Sequence, residues 1–155
     1  MDGNLKELLS ALNAHSVKYV IIGGYAVFIH AQPRMTKDLD VFIESSPSNA
    51  LATFKALAAF GAPLQDFTVE DFCKATQVAR FGNPPLCFEI LQQISGVTFG
   101  QVYANSEVVL VDGDLPVRYI SAADLITNKL ASGRPQDLAD VAAIQQKQRA
   151  TLRRP

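Results

Sequence analysis

The chain has 155 residues, 48% hydrophobic and 19% charged, with 14 Lys and Arg against 15 Asp and Glu for a formal net charge of -1. This excludes a disordered chain and a global basic field for nucleic acid or membrane. Two widely separated cysteines, Cys73 and Cys87, exclude a disulfide scaffold, and no apolar run reaches the roughly 18 residues of a bilayer span. The N-terminus does not read as a secretion signal. The expectation is a cytoplasmic, soluble single domain over residues 1–150 with a frayed tail at 151–155, and reduced thiols.

In chain order, Leu5, Leu8, Leu9 and Leu12 recur at helical spacing and predict an amphipathic helix over 4–14. Residues 18–22 read as a buried strand, ended by a tight turn at Gly23-Gly24, with a short helix over 25–31 before Pro33. A second strand covers 38–43. A long helix covers 47–60, with Pro47 in its first turn and Gly61 past its end. Strands follow at 76–81, 85–91, 107–112 and 115–120, punctuated by Gly82-Asn83-Pro84 and Gly113, and the first two suit a hairpin. Ser121 caps a helix that ends at Gly133, and Pro135 starts the last one. The order predicts an α+β domain: a mixed sheet, helices mainly on one face, and a C-terminal helical pair.

The chemistry concentrates between Gly23 and Ile43. Alternation along the strand sets Asp38 and Asp40 on one face, with Leu39 and Val41 on the other. Two carboxylates so close are either solvated or built to hold a divalent cation. A Gly-Gly leading into a helix either satisfies a turn or offers bare N–H groups to phosphate oxygens at a positive helix end. Together the two features outline a nucleoside triphosphate site. His15 and His30 have no partners at metal spacing, and Arg149, Arg153 and Arg154 form a small basic cluster, either solvated or an aid to an RNA acceptor.

The stretch GGYAVFIHAQPRMTKDLDVFI resembles the opening motif of the DNA polymerase β-like nucleotidyltransferase superfamily. Arg34-Met35-Thr36-Lys37-Asp38-Leu39-Asp40 is similar to the R-x-T-K-D-L-D phrase of its small bacterial AbiEii-toxin-like members. Residues 88–99 and 120–144 resemble that family's third-acid strand and C-terminal helical pair, so the likeness covers nearly the whole chain. The resemblance implies that Gly23 and Gly24 hold the triphosphate and that Asp38 and Asp40 bind Mg²⁺, or Mn²⁺ in its place. It puts Glu89 at the third acidic position, where many relatives carry Asp. It makes Lys129 a phosphate contact, where the residues alone equally allow a solvated helix lysine, and leaves Arg34, Thr36 and Lys37 as further nucleotide contacts, with Arg34 and Lys37 open to the alternative of only flanking the strand. Asp137 and Asp140 either orient Lys129 or Arg134, or serve only the helix N-terminus.

The implied reaction moves a nucleoside monophosphate from an NTP to an acceptor hydroxyl with release of pyrophosphate. The acceptor is open among RNA, protein and small molecules, and a toxin-antitoxin role implies a cognate antitoxin as partner. The rival reading is a catalytically inactive nucleotide-binding or protein-interaction module of the same fold.

Overall fold

The computed structural model describes residues 1–36, 38–75, 78–83 and 86–153. Among them the helices are α1 (Gly3–Ala14), α2 (Gly23–His30), α3 (Pro47–Phe60), α4 (Phe99–Asn105), α5 (Ala122–Ser132) and α6 (Pro135–Leu152). The strands are β1 (Tyr19–Ile22), β2 (Asp38–Ile43), β3 (Ala79–Asn83), β4 (Leu86–Leu91), β5 (Glu107–Val111) and β6 (Leu115–Tyr119). The strands form one mixed sheet in the order β3-β4-β2-β1-β6-β5. The architecture is the expected mixed α+β one, closed by the helical pair α5 and α6.

β1 lies inside the sheet, antiparallel to β2 and parallel to β6, and its YVII sequence is buried throughout. A strand covered on both faces reads as a continuous apolar run. Hairpins β3–β4 and β5–β6 flank this centre, and β2 runs parallel to β4. On one face, Leu39 and Phe88 share a register position, and Phe88 meets Phe60 of α3 edge-on at 5.8 Å between ring centres. The same core takes in Leu5, Leu8, Leu9 and Leu12 of α1. Asp38, Asp40 and Phe42 point to the other face, where Phe42 packs edge-on against Phe99 of α4 at 5.1 Å.

The caps follow the expected chemistry. Asn49 N–H donates to Ser46 Oγ at the start of α3, and Asp124 N–H donates to Ser121 Oγ at the start of α5. Three differences from the sequence expectation matter. The Gly-Gly pair is the first turn of α2 and not a turn before it, because Gly23 enters the helix at φ +67°. β3 runs on through Gly82 and Asn83, which pair with Cys87 and Leu86 and are not a turn; Thr76, Gln77, Pro84 and Pro85 lie outside the described residues. α4 and a 3-10 turn at Val69–Phe72 arise where the apolar pattern is too short to show a helical period. Cys73 and Cys87 are free thiols. No helix among the described residues is long and apolar enough to cross a membrane.

Buried Asn49 ties the sheet to α3. Its Oδ1 accepts from Lys18 N–H at 2.8 Å, while its Nδ2 donates to the Lys18 and Glu44 carbonyls at 3.1 and 2.8 Å. Asn49→Ala takes this partner from Lys18 N–H and the Glu44 carbonyl, while the Lys18 carbonyl keeps Glu44 N–H at 3.3 Å, so denaturant unfolding should show a loss of about 2–4 kcal/mol.

Candidate active site

Register builds the acidic floor. Ile22, the last residue of β1, pairs with Asp40 of β2, and Asp40 pairs in turn with Glu89 of β4. The strand end that launches α2 is thereby set beside two carboxylates from adjacent strands. Gly23 explains how close they come: a Cβ there would collide with the Asp40 carboxylate, and its φ of +67° disfavours a side chain in any case. A Cβ on Gly24 would collide with the Thr36 side chain.

Asp38, Asp40, Glu89 and Gly23 line a cleft of about 450 Å³, with Gln93 and Ser95 beyond β4, Asn128, Lys129 and Ser132 from α5, and Arg134 and Asp137 from the α5–α6 junction. Asn128 Nδ2 donates to the Ser95 carbonyl at 2.9 Å and so ties α5 to the segment after β4. The structure thus brings together Gly23, Asp38, Asp40, Glu89 and Lys129, which sequence reasoning singled out. Gly24, Arg34 and Thr36 do not line the cleft. Lys37 lies outside the described residues.

Lys129 is buried, its side chain 7% exposed, with Nζ 2.8 Å from Asp140 Oδ2 and 3.3 Å from Asp137 Oδ1. Arg134 grips Asp137 through Nε at 2.8 Å and Nη2 at 3.2 Å. From the other side, Arg34 Nη2 donates to Asp140 Oδ2 at 3.1 Å, while its Nε lies 3.1 Å from Asp140 Oδ1 but out of line for a hydrogen bond. These contacts orient the cations, and Asp137 also serves the helix N-terminus, its Oδ2 accepting from Arg134 N–H at 3.2 Å. Three cations thus share two carboxylates, and of these five groups Lys129, Arg134 and Asp137 line the cleft across from the acidic floor. Burial works against the charged form of Asp137, but hydrogen bonds from Arg134 and Lys129 outweigh it and hold its pKa below the ordinary value.

Asp40 is the strained acid. Burial, followed by the charge of Glu89, a hydrogen bond with it and the charge of Asp38, pushes its pKa up to about 7, with Lys129 opposing the rise. Three carboxylates on one face, one of them held so far from its ordinary value, are a donor set that suits a hard divalent cation. Among the described residues, however, no three His, Cys, Asp or Glu side chains stand close enough to hold one.

Sequence reasoning missed Arg80. It sits on β3 opposite Glu89, with Nη2 3.5 Å from Asp38 Oδ1 and Nη1 3.9 Å from Glu89 Oε1. The signal lay in the hairpin itself, since the residue opposite Glu89 shares its face. The two histidines are structural. His30 Nε2 donates to the Ile120 carbonyl at 2.6 Å and ties α2 to the end of β6, and His15 Nδ1 donates to Ala11 O at 2.9 Å.

A family model described as "Nucleotidyltransferase of unknown function (DUF6036)" matches residues 2–151. No curated protein matches the chain.

The raised pKa of Asp40 carries a stability cost whose sign is fixed. The folded state binds this proton more tightly than the unfolded one, so the cost grows as pH rises from about 4 to about 7 and is complete above that. Melts in EDTA at pH 8 should therefore show Asp40→Asn more stable than wild type by about 3 °C or more, with the gap closing as pH falls towards 4.

Proposed function

The chain belongs to the family of nucleotidyltransferases of unknown function that its residues 2–151 match, and from that membership we propose that it transfers a nucleoside monophosphate from an NTP to an acceptor hydroxyl in a metal-dependent reaction. The observation that carries this is the facing of an acidic floor, Asp38, Asp40 and Glu89, by a cationic wall, Lys129 and Arg134, in a single cleft that Gly23 also lines.

Asp38, Asp40 and Glu89 are the residues that would hold Mg²⁺, or Mn²⁺ in its place, which supplies Lewis-acid stabilisation of charge developing on the phosphoryl oxygens. The triphosphate lies along the wall. Arg134, with a mostly exposed guanidinium, contacts its oxygens, and the first turn of α2 offers N–H groups at a positive helix end. Lys129 acts from beneath: its Nζ is taken up by Asp137 and Asp140, and its charge sets the potential that an anionic substrate meets. Glu89 takes the proton of the acceptor hydroxyl. The freed oxygen forms a bond to the α-phosphorus, the bond from that phosphorus to the β-phosphate bridge breaks, and pyrophosphate leaves with the bonding pair.

Within the superfamily we place the chain among the small AbiEii-toxin-like enzymes, on the strength of the segment Arg34–Asp40. RNA or protein is then the acceptor class, and a cognate antitoxin the partner. The feature that favours the rival, a module that binds nucleotide without turning it over, is Glu89, one methylene longer than the Asp that many relatives carry there.

Labelled ATP, GTP, CTP and UTP with Mg²⁺ or Mn²⁺, offered with cell RNA, cell protein and small hydroxyl acceptors, separate the readings. Transfer should appear with one acceptor class, vanish in EDTA, and drop about 10³-fold or more in the Asp38→Ala, Asp40→Ala double variant. Transfer that survives in the double variant would sink the mechanism. Nucleotide binding without transfer to any acceptor favours the inactive module.

A further inference from the structure

Arg80 is an exposed residue next to the acidic floor. It stands directly across the hairpin from Glu89, on the face that carries Asp38 and Asp40, so its position follows from strand pairing and not from a chance rotamer. Its side chain is 54% exposed, and one guanidinium spans two strands, reaching Asp38 on β2 and Glu89 on β4 at 3.5 and 3.9 Å. Both are long, solvent-facing ion pairs, the kind that contributes little and yields readily to a stronger competitor. A divalent cation is such a competitor, since it offers twice the charge at far shorter contact.

We propose that Arg80 is a tethered counter-ion that neutralises Asp38 and Glu89 until a divalent cation displaces it, so that it sets the threshold at which the floor takes up metal. The inference rests on the reading of Asp38, Asp40 and Glu89 as metal ligands. It adds a residue from β3 that takes no part in holding metal but competes with it. A side chain anchored to the neighbouring strand cannot diffuse away, so the competition persists at any protein concentration.

The test is Mn²⁺ binding without nucleotide, read by calorimetry or by the electron paramagnetic resonance of free Mn²⁺. It compares wild type, Arg80→Ala, Arg80→Gln, Arg80→Lys and the Asp38→Ala, Asp40→Ala double variant, with circular dichroism to establish folding. Removal of the guanidinium should tighten Mn²⁺ binding about three- to tenfold in Arg80→Ala and Arg80→Gln, the scale expected for loss of two exposed ion pairs, with Arg80→Lys between them and wild type. Mn²⁺ bound by Arg80→Ala but not by wild type also supports the proposal. Equal or weaker binding by folded Arg80→Ala and Arg80→Gln, in a site that wild type fills and the double variant lacks, overturns the counter-ion role while leaving the metal reading intact. Absence from every protein of Mn²⁺ binding that depends on Asp38 and Asp40 overturns the metal reading and the inference together.

Discussion

Everything in the cleft depends on one coincidence of register: the last residue of β1 and the partner residue on β4 both fall opposite Asp40. Backbone hydrogen bonding, a geometry with no interest in chemistry, thereby brings a helix start, a half-buried acid and a second acid into one neighbourhood. A slip of one residue in either pairing would turn the carboxylates into the apolar core and Leu39 or Val41 into the cleft. The core resists this, because Leu39, Val41 and Ile43 are wholly buried on the opposite face. Apolar packing on one side of β2 thus holds its acids in place on the other.

The ion pairs behind the cleft are a second layer of the same logic. Burying Lys129 alone would be prohibitive, and two carboxylates from α6 make it tolerable. Asp140 in turn is held by Arg34, which belongs to the segment just before β2. The C-terminal helix and the segment leading into the acid-bearing strand are therefore joined by charge. That joint accounts for Arg34 and the two helix aspartates as positioning residues of the wall, whatever the nucleotide contacts.

How much of this was legible in the sequence varies with the range of the interactions. The β-branched run before Gly23, the leucine stripe of α1 and the Ser, Pro and Gly caps are local signals, and they located most elements to within a residue or two. Asp38 and Asp40 were legible because strand alternation assigns a face without knowledge of partners, and Glu89 through the resemblance of its strand to the family's third-acid segment. Arg80 was not, since its meaning lies in a cross-strand pairing whose register the sequence leaves open. The pairing of Arg34 with Asp140 was not legible either, because nothing nearby in the chain reveals a partner more than a hundred residues away. α4 escaped because seven residues are too few to establish a helical period, and its Phe99 packs against Phe42.

The parallel pairings also say something about when the cleft comes into being. β1 lies beside β6, with Ile21 opposite Tyr119, and β2 lies beside β4, so the centre of the sheet is knit by contacts remote in sequence. Such topologies fold slowly, since long loops must close before the contacts that stabilise them can form. The wall arrives later still, because Asp137 and Asp140 belong to the final helix. A chain emerging from the ribosome can carry its complete acidic motif for a long stretch of synthesis and yet possess no cleft. Assembly of the site is in effect a report that the whole domain has been made.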